Sequence, residues 1–187
     1  MSAINNQQPK EVARALADDH LEVDKLIHRL LVALDHENKS QSFELLDLLW
    51  ARLAVHIRAE HLCLFPSILE VPPVNFIGSG GIPKYQEAKS TIDLLRHDHD
   101  FFMRELGKAV NTLRKQGTHS DHAVIRKRLL EARRSIVKVR SRLETHNQLE
   151  EDHIYKWVNV LLGEAKRSTL IARIRHEIEN IPPRFNV

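Results

Sequence analysis

Two stretches of this sequence carry the same chemical pattern. His56-Ile57-Arg58-Ala59-Glu60 and His146-Asn147-Gln148-Leu149-Glu150 both read H-x-x-x-E. Residues four apart share one face of a helix and sit about 6 Å apart along its axis. Each motif therefore offers an imidazole and a carboxylate side by side. A further polar group follows each glutamate, His61 in the first and Glu151 in the second. An apolar-aromatic cluster comes next: Leu62, Leu64 and Phe65, then Ile154, Tyr155 and Trp157. The chain of 187 residues holds 12 histidines, an unusual number and a reason to look for metal ligands.

The elements that must position these groups follow from apolar spacing. Helix A spans about residues 10–35, with the stripe Ala13, Leu16, His20, Val23, Ile27, Leu30 and Leu34. Steps alternating three and four mark the inner seam of an antiparallel bundle. Helix B, about 43–69, has the seam Leu46, Leu49, Leu53, His56, Glu60 and Cys63. Helix C, about 85–115, has Ile92, Leu95, His99, Phe102, Leu106, Ala109 and Leu113. Helix D, about 122–162, has Leu129, Ala132, Ile136, Val139, Leu143, His146, Glu150, His153 and Trp157. The phase selects His99 over His97, which points about 200° away. A short amphipathic helix over about 164–180 presents Leu170, Ile171, Ile174 and Ile178, and Pro182-Pro183 ends it.

Between helices B and C, residues 66–83 are rich in proline and glycine and read as a long irregular connection, either a lid over a metal site or a plain link. Residues 116–121 end helix C and cap helix D. The C–D hairpin is lopsided, because His99 lies nearer its turn than His146, so helix D overhangs or the loop absorbs roughly two turns. The expected fold is all-α: one domain over residues 1–187, an up-down-up-down four-helix bundle over about 10–162 plus a short C-terminal helix. The two hairpins, A–B and C–D, repeat one plan.

Composition sets outer bounds. An apolar fraction of 42% with few Gly and Pro is that of a globular helical domain. A formal net charge of +3 is too mild to point to nucleic acid. No run of about 18 apolar residues predicts a membrane span. The polar N-terminus lacks a signal core, and the single cysteine excludes an internal disulfide framework. The expected setting is the cytoplasm.

Six ionisable groups thus interrupt the four apolar seams: His20, His56, Glu60, His99, His146 and Glu150. Burying one without a partner is costly. Burying six at compatible depths makes sense if they hold metal ions, with two imidazoles per ion and two carboxylates to share. Mixed nitrogen and oxygen ligation suits iron, and also manganese or zinc. The bland alternative is a buried His/Glu hydrogen-bond network. His61, Glu151 and His153 are candidates to orient these ligands from outside. Cys63, Tyr155 and Trp157 read as core residues. His28, His36, His119, His122 and His176 read as surface, as does the basic run from Arg126 to Arg142.

Taken together, Asp19-His20, His56-x-x-x-Glu60 followed by Leu64-Phe65-Pro66, Asp98-His99, and His146-x-x-x-Glu150-Glu151 resemble the hemerythrin-like, or HHE cation-binding, domain. The resemblance covers about residues 10–160. It implies an up-down-up-down four-helix bundle around a non-haem di-iron centre with a bridging oxygen species. Family members carry or sense oxygen, respond to iron or redox state, handle nitric oxide or peroxide, or help repair iron–sulfur clusters. The oxygen carriers have two histidines four apart on the third helix. Here Leu95 and Met103 flank His99 at those positions, which sets this chain apart from them.

The function expected from the resemblance is binding of iron and of a small ligand (oxygen, nitric oxide or peroxide) at an open position, in sensing, storage or protection. The alternative is a di-iron oxidoreductase that removes peroxide or nitric oxide or supports iron–sulfur repair. A metal-free helical interaction module is a third reading. No nucleic-acid or membrane partner is expected, and both a monomer and a homodimer are compatible with the sequence.

Overall fold

Apolar residues at three- and four-residue steps build long helices, and the computed structural model describes them over residues 9–114 and 121–185. The helices are α1 (Pro9–Asp35), α2 (Lys39–Ala59), α3 (Phe65–Leu69), α4 (Tyr85–Arg114), α5 (His122–Leu149), α6 (Tyr155–Leu161) and α7 (Glu164–Glu179). The described residues form no β-strand, only an isolated bridge between Ile77 and Lys84. None of these helices is long and apolar enough to cross a membrane.

Two π-helical turns join shorter pieces into long rods. Glu60–Leu64 links α2 to α3, and Glu150–Ile154 links α5 to α6. In each, a backbone N–H reaches back five residues, from Phe65 to the Glu60 carbonyl and from Tyr155 to the Glu150 carbonyl. Single π turns inside α-helices are frequent at functional sites. Here both begin at the glutamate of an H-x-x-x-E motif.

The four rods pack in a ring, α1 on α2, α2 on α4, α4 on α5 and α5 on α1. Neighbours run antiparallel. Arg133 of α5 bonds Asp35 of α1 at one end, while Glu151 approaches His20 at the other. Ser135 sits opposite Glu105 and Arg142 opposite Asp98, a register that brings His146 level with His99 despite the lopsided hairpin. Residues 115–120, where the loop was expected to absorb the difference, lie outside the described residues, as does the Ala13 side chain. Asn38 caps α2 and Asp121 caps α5 through their side-chain oxygens.

The core is layered. One apolar cluster takes Val23, Leu53, Phe102, Leu143 and the residues above them; the other takes Leu16, Cys63, Leu95, Ile154 and those below. On every rod the polar seam residues fall between the two. The 66–83 connection feeds Val71 and Phe76 into the second cluster, and Phe76 meets the Tyr85 ring edge-on at 5.2 Å. No residue of it lines the cavity among the histidines.

Helix α7 packs on the bundle through Leu170, Ile171 and Ile174, against α2, α1 and the first π turn. Pro66 has no N–H, so the Leu62 carbonyl lacks its usual donor four residues on. Arg173 of α7 supplies one at 3.1 Å. Arg58 ties the same helix down through Glu177 at 2.7 Å. Arg173→Met should therefore lower stability by about 1 kcal/mol, the cost of orphaning a partly exposed carbonyl. In urea titrations this loss should shrink when Pro66→Ala restores the backbone donor, giving a non-additive double-mutant cycle.

Candidate metal centre

All six seam residues converge. His20, His56, His99 and His146 are buried, and Glu60 and Glu150 are 0% exposed. They form two nests of four groups that could hold a metal ion, His20, His56, Glu60 and Glu150 in one, and Glu60, His99, His146 and Glu150 in the other, each with its donor atoms within 4.8 Å of one another.

In the first nest, His20 Nε2 stands 3.2 Å from His56 Nε2 and 3.2 Å from Glu150 Oε2. His56 Nε2 is 3.2 Å from Glu60 Oε1. In the second, His99 Nε2 is 3.1 Å from His146 Nε2 and 3.0 Å from Glu60 Oε2. His146 Nε2 is 3.5 Å from Glu150 Oε1. Ligands about 2.1 Å from one ion lie about 3.0–3.4 Å from each other, so these spacings are those of a coordination sphere. Each glutamate gives one oxygen to each nest.

Hydrogen bonding inside the nests is incomplete. Both oxygens of Glu60, and Oε1 of Glu150, are buried without a hydrogen-bond partner although imidazole nitrogens stand close by. Buried polar atoms are normally paired, and an exception requires a cause. The donor set and the orphaned oxygens both fit a pair of cations shared through two carboxylates.

Outside the nests, three of the four rings are held by their other nitrogen. Asp19 accepts from His56 Nδ1 at 2.7 Å and is gripped by Arg52. Asp98 does the same for His146 at 3.3 Å and is gripped by Arg142 at 2.6 Å. His61 Nε2 meets His99 Nδ1 at 2.8 Å. With Nδ1–H so engaged, a neutral ring keeps its Nε2 lone pair facing inward, the tautomer a metal needs. His20 Nδ1 has no hydrogen bond, and Glu151 Oε1 approaches it to 3.8 Å. The Tyr155 hydroxyl donates to Glu150 Oε2 at 3.3 Å and stands 3.5 Å from His20 Nε2.

Ionisation follows from this packing. Burial opposes the charge on Glu60, but the facing His56 and His99 rings more than offset it and hold the carboxyl well below its usual range. Burial likewise opposes protonation of His56, yet Glu60 and Asp19 push it well above the ordinary value. For His146 the same contest, with Glu150 and Asp98 as counter-charges, ends at about 9. Burial and the neighbouring His99 lower His61, keeping it neutral. Burial, then Glu150 and Glu60, raise the Tyr155 phenol and keep it protonated.

Comparison of the chain with protein-family models, with curated proteins and with solved structures gives no match in any of the three.

Of the outer candidates, His61 sits on His99 and Glu151 faces His20, but His153 does not join them. It is exposed and stacks near Trp157, with ring centroids 5.5 Å apart. The extra residue in the π turn passes the buried position on to Ile154. Its counterpart Cys63 is buried, and α7 packs on the π turn that carries it. The exposed His97, and the buried His99, stand as the helical phase predicts. The aspartates and arginines behind the rings are what periodicity missed. Their signal was present, since Arg52 and Arg142 each precede a motif histidine by four residues. Tyr155 is buried in the core as expected, but its hydroxyl also reaches the nests.

In chelator-treated protein, the raised His146 stabilises the fold fully below its unfolded value of about 6.5 and loses that contribution as pH rises through about 9. Urea titrations from pH 6 to 10 should show a fall of roughly 3 kcal/mol from this group, with His56 acting in the same direction. Saturating divalent metal at pH 7 should release protons, because ligating imidazoles must be neutral. A pH-stat trace without acid release would contradict this.

Proposed function

We propose that this protein is a metal-binding domain of hemerythrin-like type, an up-down-up-down four-helix bundle that holds two iron ions between its hairpins. The observation that carries the reading is the sharing of Glu60 and Glu150, each with one unpaired or weakly paired oxygen turned to each nest. Two imidazoles and two carboxylate oxygens per ion make a donor set suited to iron, with manganese or zinc as substitutes. Bound iron would supply redox and Lewis-acid chemistry at one buried point. His20, His56 and Glu60 would hold one ion with Glu150; His99, His146 and Glu150 would hold the other with Glu60.

A small cavity supports an open position for a ligand. It holds about 10 Å³, room for a water-sized guest, and is lined by the four histidines together with Val23, Leu53, Phe102, Leu143 and Asn147. The apolar part of its wall, Val23, Leu53, Phe102 and Leu143, suits a small neutral molecule such as oxygen, nitric oxide or peroxide. The role is then sensing, storage or protection. A second reading, an oxidoreductase that consumes peroxide or nitric oxide or serves iron–sulfur repair, draws on two groups beside the nests. Tyr155 keeps a proton to give, and neutral His61 already accepts from His99 through its Nε2. Turnover assays with loaded protein separate the two readings.

Metal analysis after anaerobic loading should give about two irons per chain. Because the carboxylates serve both nests, Glu60→Gln should lower occupancy of both ions. His20→Ala and His99→Ala should each weaken one. Equal loss from all three variants would contradict the shared-carboxylate geometry. Metal at a hundredfold excess over its dissociation constant should add about 2.7 kcal/mol of stability. Unchanged melting with and without metal would favour a metal-free interaction module.

A further inference from the structure

The two nests are buried, so ions need a way in, and the structure offers one on the α1–α5 side. A surface cleft of about 450 Å³ lies between these helices. It shares His20, Val23, Leu143 and Asn147 with the wall of the inner cavity. Those residues are the partition between solvent and the nests. The rim carries Asp24, Glu144 and Glu151, with Arg140 reaching Asp24 at 3.9 Å and Glu144 at 3.8 Å. Arg140 stands between the first two acids without a hydrogen bond from its Nε to either, and Glu151 is the rim carboxylate next to His20.

His20 differs from the other three imidazoles. His56 is fastened by Asp19, His146 by Asp98 and His99 by His61. His20 is 7% exposed, and its Nδ1 is buried with no hydrogen bond, 3.8 Å from a Glu151 side chain that is 49% exposed. Its ring faces both ways, Nε2 into the first nest and Nδ1 toward the cleft. It is the one ligand ring whose outer nitrogen has no orienting partner, so that only its Nε2 contacts to His56, Glu150 and Tyr155 oppose a turn. Helix α7 reinforces the asymmetry. It packs on the first π turn, while Glu151 in the second is half-exposed.

We propose that divalent cations enter through the α1–α5 cleft, caught first between Glu151 and His20 Nδ1 and delivered to the first nest as the His20 ring turns. This rests on the two-metal reading above. Glu151 and His20 act here as an entry pair, and the charge on Glu151 sets the rate of capture rather than the final occupancy.

Stopped-flow absorbance of Co²⁺ entering the chelator-treated full-length protein tests the route, with Co²⁺ alone as the probe. Glu151→Gln should slow uptake at least about fivefold at low ionic strength, with a smaller difference at high salt, and should reach the same final Co²⁺ content as the wild type. Asp152→Asn removes the same charge one residue away, from a carboxylate already engaged by Gln148 and Lys156, and should load at the wild-type rate. Uptake by Glu151→Gln at the wild-type rate, or equal slowing by Asp152→Asn, would overturn the route while leaving the metal centre standing. Failure of the wild type to take up Co²⁺ at all would overturn the metal reading and the route with it.

Discussion

Two glutamates buried at zero exposure are the constraint on which the rest of this structure depends. An ionised carboxylate taken out of water is expensive unless other charges meet it. Glu60 and Glu150 sit where two apolar clusters meet, with no solvent to share the load. Their compensation comes from four imidazoles, from one phenol and, in the proposed loaded form, from two cations. Every rod of the bundle contributes to that polar layer. The layer therefore fixes the heights of all four rods at once, since a shift of one turn in any of them would leave a charge in hydrocarbon.

Around that layer the backbone bends to fit. Each π turn begins at a buried glutamate and inserts the extra residue just below the nests. The same turn carries a second polar residue, His61 or Glu151, to the rim. Behind the rings, Asp19 and Asp98 each clasp an imidazole with one oxygen and an arginine with the other. Arginine and histidine lie one turn apart on the same helix, while the aspartate comes from its hairpin partner. One carboxylate thus orients a ligand and pins two helices together.

Much of this was legible in the amino-acid order because a helix makes phase readable. His99 rather than His97, and the placing of His20 among Leu16 and Val23, follow from counting threes and fours. The long helices and the burial of all six seam His and Glu residues follow from the same count. The count fails at His153, because a π turn changes the period and nothing local announces it. Whether the lower seam is covered depends on where α7 docks, a tertiary matter that shelters Cys63 and leaves His153 in water. The arginine–aspartate clasps escaped because their members are polar and lie off the apolar stripe, although the four-residue offset from arginine to histidine appears in both hairpins. The reach of the Tyr155 hydroxyl to Glu150 depends on side-chain placement, which periodicity does not report.

The way the carboxylates are divided has a consequence for how little protein the arrangement requires. α1 and α2 with the first π turn bring two rings, one acid and the aspartate clasp; α4 and α5 with the second bring the same set. Neither half can close its own cage, because the fourth corner is always an oxygen lent across the divide. Two copies of a single ancestral hairpin, laid face to face, would complete both cages by mutual loan. The completeness of either half is thus a property of the pair, and any cation held there would double as the rivet between them.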